Sequence, residues 1–264
     1  MTQKIKLLFL DVDGTLVSFN THQIPASTVE AIRKAHENGV KIIIATGRCR
    51  KIINNLTAIE PYIDGYSCTN GSYNSIEGKE VSCYPIAEDD VLKVLEKADR
   101  DRKACTVSGK ENVTVVGRDA QFHQMFVEMH DIPYFAGELP PLDVVMAEGV
   151  TELTVFFDKD EGDKIMSELV NCESSRWYPT FMDITAKGVN KGQAVRDVAR
   201  YLGVSIAETM AIGDGDNDVP MIQAAGIGVA MGNSTDDVKS KADFVTDSID
   251  EDGLANALKH FGVI

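Results

Sequence analysis

Residues 7–13 read Leu-Leu-Phe-Leu-Asp-Val-Asp, and Gly14 and Thr15 follow at once. An unbroken apolar run of this length has no solvent face, so it must be buried on both sides. For a short segment that means a strand inside a parallel sheet covered by helices. Two more runs end the same way. "VKIIIA" passes into Thr46-Gly47-Arg48, and "TMAI" passes into "GDGDND", residues 213–218. A buried strand whose carboxyl end turns polar lies where open α/β sheets bind their ligands.

Helical segments alternate with these strands. A strand at about 5–10 leads to a helix near 27–38, starting at Ser27 and stopped by Gly39; after the second strand a helix is expected near 48–57. The last third repeats the pattern. "KGQAVRDVARYLG" reads as a helix closed by Gly203, "AAGIGVAMG" and "ADFVT" as short strands, and "DEDGLANALKHFG" as a final helix. The middle differs: "EDDVLKVLEKADRDR" and "DAQFHQMFVEMH" read as helices and "ACTVSGKENVTVVG" as a hairpin. "IPYFAGELPPLDVV" then reads as a loop, "TELTVFFD" as a strand, "GDKIMSELV" as a helix and "SSRWYPTFMDITA" as one strand stretch. The expected architecture is α/β: a doubly wound parallel-sheet core, residues 1–83 and 187–264, with an α+β domain, residues 84–186, inserted into it.

Composition narrows the partners. Against 26 Lys and Arg stand 41 Asp and Glu, a formal net charge of −15, which repels nucleic acid and anionic lipid. An anionic ligand would then need local cations to hold it. The five cysteines (Cys49, Cys68, Cys83, Cys105 and Cys172) have no CxxC spacing, so neither a disulfide framework nor a zinc site is indicated. Neither a signal peptide nor a membrane span is recognised, and a cytoplasmic location is expected. No protein partner can be inferred. His22, His36, His123, His130 and His260 fit no motif.

Four groups of residues carry chemistry. Asp11 and Asp13, two positions apart in extended chain, project to one side at a strand end, where Gly14 permits a sharp turn and Thr15 can cap it. Such a pair is costly unless a cation or a shared proton compensates it. Thr46 and Gly47 offer a hydroxyl and free N–H groups to an oxyanion. Lys191 in "GVNKGQ" sits in the first helical turn, where a cation opposes the helix dipole unless an anion is near. Asp214, Asp216, Asn217 and Asp218 crowd the end of "TMAI", an oxygen-rich loop suited to a hard cation. Loops after strands of one parallel sheet share a face. Their inventory of carboxylates, hydroxyl, ammonium and a Mg²⁺ ion is what phosphoryl transfer requires.

These motifs, DVDGT at 11–15, ATGR at 45–48, GVNKGQ at 188–193 and GDGDND at 213–218, resemble those of the haloacid dehalogenase superfamily. The insertion resembles the large α/β cap of its Cof-type phosphatases. The resemblance implies Asp11 as a nucleophile that forms an aspartyl-phosphate and Asp13 as the acid and base. It implies Mg²⁺ held by the Asp11 carboxylate, the Asp13 carbonyl and Asp214, with Asp218 behind them. Thr46, Gly47, Lys191 and Asn217 would hold the phosphoryl group. The expected activity is hydrolysis of a small phosphorylated metabolite, hexose phosphates foremost. A phosphomutase on the same scaffold and a phospho-accepting receiver module are the alternatives, and flavin mononucleotide and pyridoxal phosphate stay open as substrates. Within the cap, Arg176, Trp177, Tyr178 and Asp183 are expected to contact the leaving group, with packing of the cap sheet an equal alternative for Trp177 and Tyr178, and Asn70 and Gly71 are expected to border the pocket.

Overall fold

The computed structural model describes residues 4–129 and 132–264, apart from the Trp177 side chain. His130 and that indole therefore lie outside the described residues. The chain begins β1 (Leu7–Leu10), α1 (Ala26–Glu37), β2 (Lys41–Ala45), β3 (Ile63–Cys68), β4 (Tyr73–Ile76) and β5 (Lys79–Cys83). It continues α2 (Glu88–Arg100), β6 (Cys105–Ser108), β7 (Val113–Val116), the single turn α3 (Ala120–Phe122), α4 (Leu142–Glu148) and β8 (Glu152–Val155). Next come α5 (Lys159–Met166), β9 (Cys172–Tyr178), β10 (Phe181–Ala186), α6 (Lys191–Leu202), β11 (Thr209–Gly213) and α7 (Val219–Ala224). The chain closes with β12 (Ile227–Ala230), α8 (Asp236–Lys239), β13 (Phe244–Val245) and α9 (Gly253–His260).

Two compact units result, one formed by residues 1–47, 55–82 and 190–264, the other by 48–54 and 83–189. The first holds an eight-stranded sheet in the order β13-β12-β11-β1-β2-β3-β4-β5. From β13 to β3 every pairing is parallel, and β4 turns back antiparallel on β3. Leu7, Leu8, Phe9 and Leu10 are all fully buried, as the continuous apolar run requires. Leu7, Phe9, Ile43 and Ala211 pack with Val195 and Val198 of α6 and Met221 of α7. Leu8, Leu10, Ile42 and Ile44 on the other face are equally buried, and α1 packs on α9. The sheet is therefore doubly wound.

The second unit is a five-stranded antiparallel sheet, β7-β6-β8-β10-β9, over which α2, α4 and α5 bury Val91, Val94, Val145 and Ile165. A satellite core of Phe122, Phe126, Phe135, Phe156 and Phe181 gathers Cys49. No helix among the described residues is long and apolar enough to cross a membrane.

Several local expectations change. The helix near 48–57 is absent; only a 3₁₀ turn, Arg50–Ile52, forms there. Cys49 is extended and buried in the aromatic core, and Asn55 adopts a left-handed φ of 62°, so burial and a reversal override helical propensity. The stretch 174–186 is two strands, because Pro179 and Thr180 break it into the β9–β10 hairpin. The loop 132–145 contains a 3₁₀ turn, Pro133–Ala136, and the start of α4, with Pro141 at its N-terminal boundary. The helix expected from Asp119 is one α turn followed by a π-helical stretch, His123–Met129. α1 starts at Ala26 without a side-chain cap; the Ser27 hydroxyl instead bonds the Asp252 carboxylate.

Candidate active site

Register brings the first pieces together. Leu10 of β1 pairs with Ile44 of β2 and Ile212 of β11, so Asp11 emerges level with Ala45 and Gly213. The Asp11 N–H still donates to the Ile212 carbonyl at 3.1 Å, holding this residue in the ladder. After it the chain turns sharply. Gly14 has φ +90°, and its N–H donates to the Val17 carbonyl at 2.9 Å. A Cβ on Gly14 would stand 2.3 Å from Oδ2 of Asp214, so only glycine lets the two loops approach this closely.

Lys191 is the first residue of α6, behind Asn190, whose side chain caps the helix by accepting the N–H groups of Gly192 and Gln193. The lysine is wholly buried, and its ammonium donates to Asp11 Oδ1 and Asp218 Oδ1, each at 2.6 Å. The two carboxylates answer the misfit of a cation at a helix N-terminus. Oδ2 of Asp218 accepts the backbone N–H groups of Asp214 and Gly215 at 2.9 Å, which folds the acidic loop over this carboxylate. Thr15 donates its hydroxyl to Asp214 Oδ1 at 2.9 Å. Carboxylate oxygens of Asp11, Asp214 and Asp218 all lie within 4.8 Å of one another.

Three acids surround one ammonium. Burial and the neighbouring Asp218 hold Asp11 well above the usual carboxylate range despite the opposing pull of Lys191. Burial and Asp218 likewise push Asp214 up to about 7, against the Thr15 hydrogen bond. Burial works against the charge of Lys191, but Asp11 and Asp218 raise it above its ordinary value. This excess of negative charge, on oxygen donors alone, fits a hard divalent cation bound beside Asp11 and Asp214. A side chain on Gly14 would intrude there.

The remaining sequence-predicted residues border this cluster. Asp13 is half-buried next to the turn and forms an isolated bridge with Val17. Thr46 is buried at the end of β2; its carbonyl accepts the Asn70 N–H at 3.1 Å. Gly47 follows, half-buried beneath the Asn70 side chain, which a Cβ would meet at 3.3 Å. Asn217 is exposed and donates to Asn70 Oδ1 at 3.1 Å. Asp216 is exposed.

In the other unit Arg176, Tyr178 and Asp183 make contacts within that unit. The Arg176 guanidinium is spent on the carbonyls of Phe157, Asp158, Pro179 and Phe181 at 2.9–3.0 Å. Tyr178 stacks on Phe181 with ring centroids 5.6 Å apart. Asp183 is buried and accepts the Thr154 hydroxyl at 2.8 Å.

Sequence reasoning missed Asn233. Its amide donates to the Gly14 carbonyl at 2.9 Å and to Asp214 Oδ2 at 3.3 Å, while its oxygen accepts the Ile249 N–H at 3.0 Å. The available signal was its place in "AMGNS", just past β12, another strand end on the same edge of the sheet.

Relatives match nearly the whole chain. The haloacid dehalogenase-like hydrolase family matches residues 8–258. A Bacillus subtilis enzyme named as a 5-amino-6-(5-phospho-D-ribitylamino)uracil phosphatase is 31% identical, covering 97% of this chain and 96% of its own length. The solved structure of a sugar phosphatase of subclass IIB of the superfamily is 39% identical with a TM-score of 0.88, covering 98% of this chain and 100% of that one. A Bacteroides thetaiotaomicron phosphatase of the superfamily is 37% identical with a TM-score of 0.86, covering 99% and 96%. With its four motif loops, doubly wound sheet and acid–lysine cluster, the chain belongs to the haloacid dehalogenase-like hydrolase family and is a phosphatase.

Proposed function

We propose that this phosphatase is Mg²⁺-dependent and hydrolyses small phosphomonoesters, sugar phosphates foremost, through an aspartyl-phosphate on Asp11. The observation that carries the reading is Lys191, fully buried and shared at 2.6 Å between Asp11 and Asp218 with Asp214 alongside. An ammonium fixed there steadies a carboxylate nucleophile and offers its charge to an incoming phosphoryl group.

In the proposed cycle an oxygen of Asp11 attacks phosphorus while the ester bond to the leaving alkoxide breaks. Asp13 gives that alkoxide a proton. In the second half Asp13 takes a proton from water, whose oxygen attacks phosphorus; the acyl phosphate breaks, releasing phosphate and restoring Asp11. Thr46, the Gly47 N–H, Lys191 and Asn217 bind the phosphoryl oxygens. Asp11, the Asp13 carbonyl and Asp214 would hold Mg²⁺, with Asp218 buttressing Lys191 and the loop at 214–215. Bound there, the ion would offset the repulsion between phosphoryl oxygens and acids. The 84–186 segment is proposed as the inserted domain that selects the substrate.

Sugar phosphates are favoured by the subclass IIB sugar phosphatase, the relative of highest identity named above. The test is phosphate release over a metabolite panel with Mg²⁺ or with chelator. The panel includes hexose phosphates, flavin mononucleotide, pyridoxal phosphate and a phosphorylated ribitylaminopyrimidine. Mg²⁺-dependent release, greatest with hexose phosphates, is expected. Equal release in chelator contradicts the metal role, and isomerised sugar phosphate without free phosphate would indicate a mutase.

A further inference from the structure

The costliest backbone near the site is the turn between β3 and β4. Thr69, Asn70 and Gly71 follow one another with φ of +46°, +54° and +93°. A β-branched residue in the left-handed region is an outlier, and holding it there costs folding free energy. Around the turn, Ser67 Oγ, Thr69 Oγ1, Ser72 Oγ and Asn74 Oδ1 are buried with no hydrogen-bond partner among the described residues, a further penalty. Stability does not explain this conformation, because an ordinary two-residue turn joins antiparallel strands without such strain.

Its contacts do. The Asn70 N–H donates to the Thr46 carbonyl, and the Asn70 carboxamide lies over Gly47 and accepts from Asn217 Nδ2 at 3.1 Å. Gly71 presses on the cap of α6, where a Cβ would stand 2.5 Å from the Asn190 carbonyl and 3.3 Å from the Lys191 nitrogen. One strained turn thus touches each segment that carries a proposed phosphate ligand.

We infer that Asn70 is a positioning residue of the phosphate cradle: its carboxamide locks Asn217 against the Thr46–Gly47 edge, presetting those donors before substrate arrives. This rests on the phosphatase reading above. Preset donors need no reorganisation when charge develops, which is the source of their catalytic value.

The test is Asn70→Gly, alone and with Asn217→Ala. Glycine adopts the left-handed conformation freely, so the substitution relieves strain while deleting the carboxamide. The expected result is a Tm equal to or above wild type. With it, kcat/KM for para-nitrophenyl phosphate falls about tenfold and inorganic phosphate, titrated calorimetrically with Mg²⁺, binds about tenfold more weakly, the loss of one hydrogen bond to a charged group. The double variant should be no worse than Asn217→Ala alone, since Asn70 acts through Asn217. Wild-type phosphate affinity in Asn70→Gly, a lowered Tm, or losses that multiply in the double variant would each overturn the assignment. Wild-type protein that fails to hydrolyse para-nitrophenyl phosphate speaks against the phosphatase chemistry; the calorimetric comparison still judges Asn70.

Discussion

Lys191 shows how much one side chain can settle. Its ammonium replaces water with two carboxylate oxygens at 2.6 Å, and neither it nor Asp218 is solvent-accessible. Deleting the ammonium of this buried ionic cluster strands its acids without a cation, at a cost of about 3–5 kcal/mol. Lys191→Met should lose stability of that order in urea unfolding at neutral pH, together with phosphatase activity. A variant as stable as wild type would mean that the cluster is not closed in solution. Sequence exposed this residue only indirectly. Its position against the helix dipole marked it as anomalous, yet the carboxylates that resolve the anomaly lie 180 and 27 residues away in the chain. Asn70 was expected only to border the pocket and Asn233 was missed, because an asparagine in a turn is ordinary; their long-range partners give them their roles.

Elements built on strong local signals were legible. The four-residue apolar run of β1, the left-handed Gly203 ending α6 and the "GKEN" hairpin turn between β6 and β7 all left marks in sequence. Elements decided by tertiary packing did not. Residues 48–57 look helical, but burial of Cys49 among phenylalanines wins. α4 was hidden in a proline-rich loop and is tied down by Glu148. That carboxylate accepts the N–H groups of Glu111 and Asn112 at 3.0 and 3.1 Å, and also the Asn112 amide. Burial opposes its charge, but these hydrogen bonds outweigh burial and hold Glu148 below its ordinary range. A group depressed by folding contributes stability above its unfolded pKa of about 4.3 and loses it as pH falls through the folded value. Wild type should therefore exceed Glu148→Gln in urea unfolding at pH 7, and the gap should narrow as pH falls below about 5 and through the folded pKa. A gap independent of pH would contradict this account of the α4 anchor.

Over the whole molecule, a net charge of −15 surrounds a site whose own charges nearly cancel once a divalent cation joins Lys191 and the three acids. An anionic phosphomonoester is then repelled at long range and captured only at short range. Salt screens the first effect more than the second. At fixed Mg²⁺, kcat/KM should rise with KCl by a factor of about two between 20 and 200 mM; a steady fall would point to a cationic approach path instead. The most direct measurement of the central claim is steady-state phosphate release by Asp11→Asn with Mg²⁺, read beside its thermal unfolding. Removing the proposed nucleophile while relieving acid repulsion should abolish turnover, by on the order of 10³-fold or more, with Tm held or raised. Turnover within tenfold of wild type in a folded variant would contradict it.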